Sequence, residues 1–138
     1  MTDGHSSVLE RHIAAFNAQD PDAYPWTDDI ELVPPGADRL QGRGQVLGFT
    51  RVFWEAFPDA RIEIVRFIGE GTTGAAEGRF SGTHTGTLRA PTGEIPPTER
   101  RVELAWMAMY EFAGDNLASE HLYFDQAEML GQLGLIPS

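Results

Sequence analysis

The stretch Glu120-His121-Leu122-Tyr123-Phe124-Asp125 carries an imidazole, a phenol and a carboxylate at alternate positions. Side chains alternate along an extended strand, so His121, Tyr123 and Asp125 would share one face. Those three groups on one surface are what a small acid/base pocket needs. The carboxylate comes last, where the strand gives way to Gln126-Ala127-Glu128-Met129-Leu130-Gly131-Gln132-Leu133-Gly134, which reads as a short helix. Asp125-Gln126-Ala127-Glu128 is also an Asp-x-x-Glu capping box, so Asp125 has two readings, general base and helix N-cap. They are compatible, because a cap engages only one carboxylate oxygen.

A second candidate is His84, within Gly82-Thr83-His84-Thr85-Gly86. Its strand face is otherwise small or apolar, which points it inward. It reads either as a core histidine bonded to backbone or as a partner of Asp125, a role His121 could also fill. Trp106, Tyr123, Phe80, Trp54, Phe53, Tyr110 and Leu104 are the expected walls of a pocket for a flat, apolar or aromatic molecule. The spacing of His84, His121 and Asp125 matches no familiar ligand signature, so no metal is expected. His5 and His12 read as surface residues.

Composition narrows the chemistry further. The chain has 138 residues and reads as one domain, 1–138. It contains no cysteine, which excludes thiol nucleophiles, iron–sulfur ligation and zinc–thiolate sites. It contains no lysine either; all 10 basic residues are arginine. Schiff-base aldol chemistry and a pyridoxal phosphate anchor therefore lack their amine, the N-terminus aside, and no cofactor is expected. A net charge of −11 disfavours nucleic acid and anionic membranes as partners. With neither a signal-peptide pattern nor an apolar span, the chain is expected to be cytoplasmic.

The elements that must position these residues follow from periodicity. Ser7-Val8-Leu9-Glu10 is a capping box, and Leu9, Ile13 and Phe16 continue at helical spacing, predicting a helix over Ser7 to Gln19. Asp20-Pro21-Asp22 starts a short second turn, and Asp29 to Val33 alternates as a strand ended by Pro34-Pro35-Gly36. Gly42 to Phe57 is helical, with an apolar stripe wide enough to meet a sheet and a cavity together. Arg61 to Ile68, Thr72 to Leu88, Arg101 to Phe112 and Leu117 to Asp125 read as strands, and Arg89 to Arg100 as a loop. Helices first and a meander afterwards give an α+β chain with helices covering a curved, mainly antiparallel sheet.

Gly114-Asp115 marks a hairpin turn, which permits a register to be counted. If Ala113 pairs with Asn116, then Tyr123 lies opposite Trp106, His121 opposite Ala108 and Asp125 opposite Leu104. One face would carry Leu104, Trp106, Ala108, Tyr110, His121, Tyr123 and Asp125. The other would carry Met107, Met109, Glu120, Leu122 and Phe124, an apolar strip suited to a homodimer interface.

The run from Gly78 to Gly86, the later Pro96-Pro97-Thr98-Glu99-Arg100, the turn Phe112 to Leu117 and Glu120-His121 through Asp125 to Gln132-Leu133-Gly134 resemble the SnoaL-like polyketide cyclases. The resemblance implies the nuclear transport factor 2-like α+β cone, shared with ketosteroid isomerases and limonene epoxide hydrolases. It also implies an aspartate acid/base at the position of Asp125, and an intramolecular aldol ring closure that uses neither metal nor Schiff base. Glu99 departs from a glycine frequent in the family, which bears on substrate more than on fold. Two other readings stay open: a non-catalytic binder of a small hydrophobic molecule, and an isomerase, dehydratase or epoxide hydrolase on the same fold.

Overall fold

The computed structural model describes residues 2–91 and 93–136. The chain opens with a helix, α1 (Thr2–Ala18). Val8, Leu9, His12 and Ala15 are its buried positions, spaced as one helical face. The helix starts five residues before the expected Ser7, which lies inside it. A tertiary contact outweighs the local capping signal here: the His5 ring stacks on Phe112 with centroids 4.2 Å apart. Asp20 to Asp22 form a turn, with the Asp22 N–H donating to the Asp20 carboxylate at 3.0 Å.

The remaining elements are β1 (Trp26–Val33), β2 (Leu40–Gln41), α2 (Arg43–Ala56), β3 (Arg61–Glu70), β4 (Thr73–Thr83), β5 (Leu88–Ala90), β6 (Gly93–Ile95), β7 (Arg101–Ala113), β8 (Asn116–Phe124) and α3 (Gln126–Gln132). Six strands form one sheet in the order β2-β1-β8-β7-β4-β3, in which only β1 and β8 run parallel. β3 is an edge strand, and the Asn17 side chain engages it twice. Its amide donates to the Ile62 carbonyl at 2.9 Å, and its oxygen accepts the Ile62 N–H at 2.8 Å. No helix among the described residues is long and apolar enough to cross a membrane.

β4 ends at Thr83 rather than at Leu88, and the expected loop contains the small β5–β6 hairpin. At His84 the backbone leaves the ladder, its N–H bonding the Arg100 carbonyl and its carbonyl accepting from Glu99. Gly86 then passes so close to α2 that an added Cβ would overlap the Glu55 carbonyl. Only glycine permits that crossing. Thr92 lies outside the described residues.

The decisive departure from expectation is in β8. Ala113 pairs with Asn116 and Phe112 with Leu117 as counted, but Glu111 then pairs with Ser119. Ala118 is an extra residue, a β-bulge, and beyond it the register is shifted by one. Trp106 is opposite Phe124, Met107 opposite Tyr123, Ala108 opposite Leu122 and Met109 opposite His121. A one-residue shift exchanges the faces of every later side chain. Glu120, Leu122 and Phe124 therefore point into the fold, and His121 and Tyr123 point out.

Candidate active site

α1 and α2 cover the inner face of the sheet and leave a cavity between helices and strands. Its walls are Phe53 and Phe49 of α2, Phe80 of β4, Leu104 and Trp106 of β7, and Leu122 and Phe124 of β8. The polar groups gather at His12, Tyr24, Thr50, Tyr110 and Glu120. This is the usual division of a ligand site, apolar walls with a few placed polar groups.

Glu120 is the carboxylate of the cavity. Tyr110 of β7 and Leu32 of β1 are its cross-strand neighbours, so it is held in mid-sheet. Its Oε1 lies 3.5 Å from His12 Nε2, and the two side chains are only 14% and 9% exposed. The Trp26 indole N–H donates to His12 Nδ1 at 3.1 Å. Tyr24, Trp26 and Tyr110 surround the imidazole, with ring centroids 5.3, 6.0 and 6.1 Å away.

The two phenols stay protonated. Burial, and after it the negative charge of Glu120, pushes the Tyr24 hydroxyl far above its ordinary range, against a smaller opposing effect of the bond to Thr50. The same two causes, burial first, push Tyr110 well up. Two neutral phenols and an imidazole N–H thus accompany one carboxylate, a set that can accept a proton and donate hydrogen bonds in the same cavity.

The structure separates the residues that the sequence reading joined. Asp125 is exposed, and its Oδ1 accepts the Glu128 N–H at 3.0 Å as the N-cap of α3. It does not line the cavity, and its acid/base reading is corrected to a helix cap. His121 is on the outer face, its Nε2 3.6 Å from Glu31 Oε1. Tyr123 is 57% exposed on that same face, so it forms no pocket wall. Both corrections have one cause, the bulge at Ala118.

His84 is completely buried beside Phe57 and also lies outside the cavity. Its Nδ1 accepts the Thr98 N–H at 3.2 Å and sits 2.9 Å from the Thr98 hydroxyl, pinning the Pro96–Arg100 segment to the end of β4. The core reading of His84 therefore holds, and the partnership with Asp125 does not. Trp54 stands behind the cavity wall, its indole N–H donating to the Phe16 carbonyl at 3.1 Å. Phe53, Phe80, Leu104, Trp106 and Tyr110 line the cavity as expected.

Sequence reasoning missed His12 and Glu120. His12 had a signal: it lies three or four residues from Val8, Leu9, Ala15 and Phe16, on the apolar stripe of its helix. Glu120 had none short of knowing where the bulge falls. Among the described residues no group of three His, Asp or Glu is placed to hold a metal ion.

The fold has solved counterparts. A structure from Jannaschia described as a SnoaL-like polyketide cyclase superposes with a TM-score of 0.85 at 17% identity, covering 98% of this chain and 94% of that one. IdmH from Streptomyces antibioticus, described as a polyketide cyclase, gives 0.77 at 24% identity, covering 94% and 97%. A Catenulispora acidiphila protein with a ketosteroid isomerase-like fold gives 0.77 at 18% identity, covering 94% and 93%. At these identities the likeness shows the fold alone, the ketosteroid isomerase-like one. No curated protein gives a significant sequence match. The SnoaL-like polyketide cyclase model spans residues 6–133, and with the cavity-bearing cone already described this places the chain in the SnoaL-like polyketide cyclase family.

Proposed function

We propose that the chain is an acid/base catalyst of intramolecular aldol ring closure on a polyketide or aromatic ketone, with Glu120 as its base. The observation that carries this reading is a carboxylate inside an aromatic cavity, 3.5 Å from an imidazole nitrogen. Glu120 takes a proton from a carbon flanked by carbonyls. The enolate oxygen accepts hydrogen bonds from His12 Nε2–H and the neutral phenols. The enolate carbon bonds to a second carbonyl carbon of the same molecule, whose π pair becomes an alkoxide. That alkoxide recovers the proton from Glu120, so the step is balanced without cofactor or redox partner. The aromatic walls hold the chain folded with its ends together, which is much of what ring closure requires.

The test begins with proton abstraction alone. An aryl 1,3-diketone in D2O should exchange its α-hydrogen faster with the protein than without it, as followed by NMR. Glu120→Gln should abolish the acceleration while the diketone still binds. Equal exchange in wild type and Glu120→Gln would refute the assignment. Binding with no exchange in either would favour a non-catalytic holder of small hydrophobic molecules.

A further inference from the structure

We infer that Trp26 is a positioning residue that sets the tautomer of His12, so that His12 acts as a neutral hydrogen-bond donor and not as the base. The inference rests on the reading of Glu120 and His12 as the acid/base pair. An indole N–H can only donate. Trp26 Nε1 lies 3.1 Å from His12 Nδ1, so Nδ1 must present its lone pair there. A neutral imidazole then carries its proton on Nε2, the nitrogen that faces Glu120 at 3.5 Å. The alternative tautomer would set N–H against N–H at Nδ1 and a lone pair against a carboxylate at Nε2. Both contacts are unfavourable, and with the ring only 7% exposed little solvent is at hand to relieve them.

The indole is itself fixed. Tyr24 stacks on it with centroids 3.9 Å apart and planes 17° apart. The Arg43 guanidinium lies 5.6 Å from the ring centroid and donates to the Trp26 carbonyl at 2.8 Å. Trp26 thus has its own supports, independent of any ligand, and the order of control runs from Arg43 and Tyr24 through Trp26 to His12 and the cavity.

The experiment reads the tautomer directly. In the full-length protein with 15N-labelled histidine, two-bond proton–nitrogen couplings should show His12 with Nδ1 unprotonated and Nε2 protonated. Replacing Trp26 with 3-benzothienylalanine keeps the bicyclic shape and deletes only the N–H. This variant should show a mixture of tautomers, with kcat for diketone exchange lower by about tenfold and KM nearly unchanged. A proton on Nδ1 in the wild type would overturn the inference whether or not the variant folds. So would an unaltered tautomer in the folded isostere. Failure of the acid/base reading is distinguishable: Glu120→Gln would then leave exchange intact while the wild-type couplings stay as stated.

Discussion

Trp106 and Phe124 are cross-strand partners in the β7–β8 ladder, and both side chains line the cavity. Their pairing puts Glu120, four residues before Phe124, on the cavity side and Asp125 beyond it. The two carboxylates should therefore respond oppositely to substitution. Glu120→Gln should reduce diketone exchange by about two to four orders of magnitude. Asp125→Ala should leave exchange within about twofold and lower stability by about 1 kcal/mol through loss of the cap. Steady-state kinetics and thermal unfolding of the two variants check this pair of outcomes, and a large loss of turnover in Asp125→Ala would reverse the assignment.

The bulge residue offers a second test. Deleting Ala118 removes the extra residue and leaves Leu117 opposite Phe112 and Ser119 opposite Glu111 in one unbroken ladder. Glu120, Leu122 and Phe124 then keep the cavity side, so the deletion variant should fold with its exchange activity retained. Ala118→Gly keeps the bulge and should likewise fold and exchange. A folded deletion variant without exchange, followed by circular dichroism and NMR, would show that this pairing does not set which side chains of β8 face the cavity.

His84 gives a pH dependence of stability with a definite sign. Burial pushes its pKa below the usual 6.5, partly opposed by Glu99 and by the Gly86 backbone. The unfolded chain then binds the proton more readily than the folded one, so stability falls as pH drops below about 6.5 and levels off once pH passes the folded value. Asp59 and Glu111 are shifted down from 3.8 and 4.5, mainly by the Thr83 N–H and by the Thr72 hydroxyl respectively. Their contribution is present above those values and is lost only at lower pH, as their folded values are passed. Melting temperatures measured from pH 7 to 5 should fall less steeply in His84→Asn than in wild type. Parallel curves would argue against this role.

The outer face leads to an association test. Ile68 of β3, Ala75 of β4, Met109 of β7 and His121 of β8 form a continuous cross-strand row, with Met107 and Tyr123 in the adjacent row. Ile68, Met107, Met109 and Tyr123 are 65%, 56%, 45% and 57% exposed. Leu122 and Phe124, expected on this strip, line the cavity instead. We propose that a second copy covers it, since a two-fold axis lets one apolar patch meet itself. Sedimentation at micromolar concentration should give a dimer, and Met107→Glu should give a monomer with its fold intact. A wild-type monomer under those conditions would exclude this interface.

Much of the architecture was written in local pattern. The alternation of β7, buried at every second residue from Val102 to Phe112, and the helical stripe through Val46, Phe49 and Phe53 are legible because their period survives intact. Four of the expected wall residues, Phe53, Leu104, Trp106 and Tyr110, follow from those two elements, and Phe80 follows from the same alternation in β4. The polar centre was not legible, because it depends on where one extra residue falls between Leu117 and Ser119. No side chain there announces it: Ala118 has no positive φ and is not glycine. His12 was obscured differently, since a histidine on an apolar stripe reads equally as surface rim or as buried partner until Trp26 and Glu120 are placed around it.

Asn17 has a consequence for solubility. An edge strand such as β3 offers unpaired N–H and C=O groups onto which another chain can add by sheet extension. At Ile62 both outward groups are already taken by the Asn17 amide, which mimics one residue of a neighbouring strand. The bulge between Ile64 and Arg66 then breaks the regular spacing further along the same edge. The open side of the sheet is thereby closed to fibre-like growth at its first half, by one helical side chain that takes no part in the cavity.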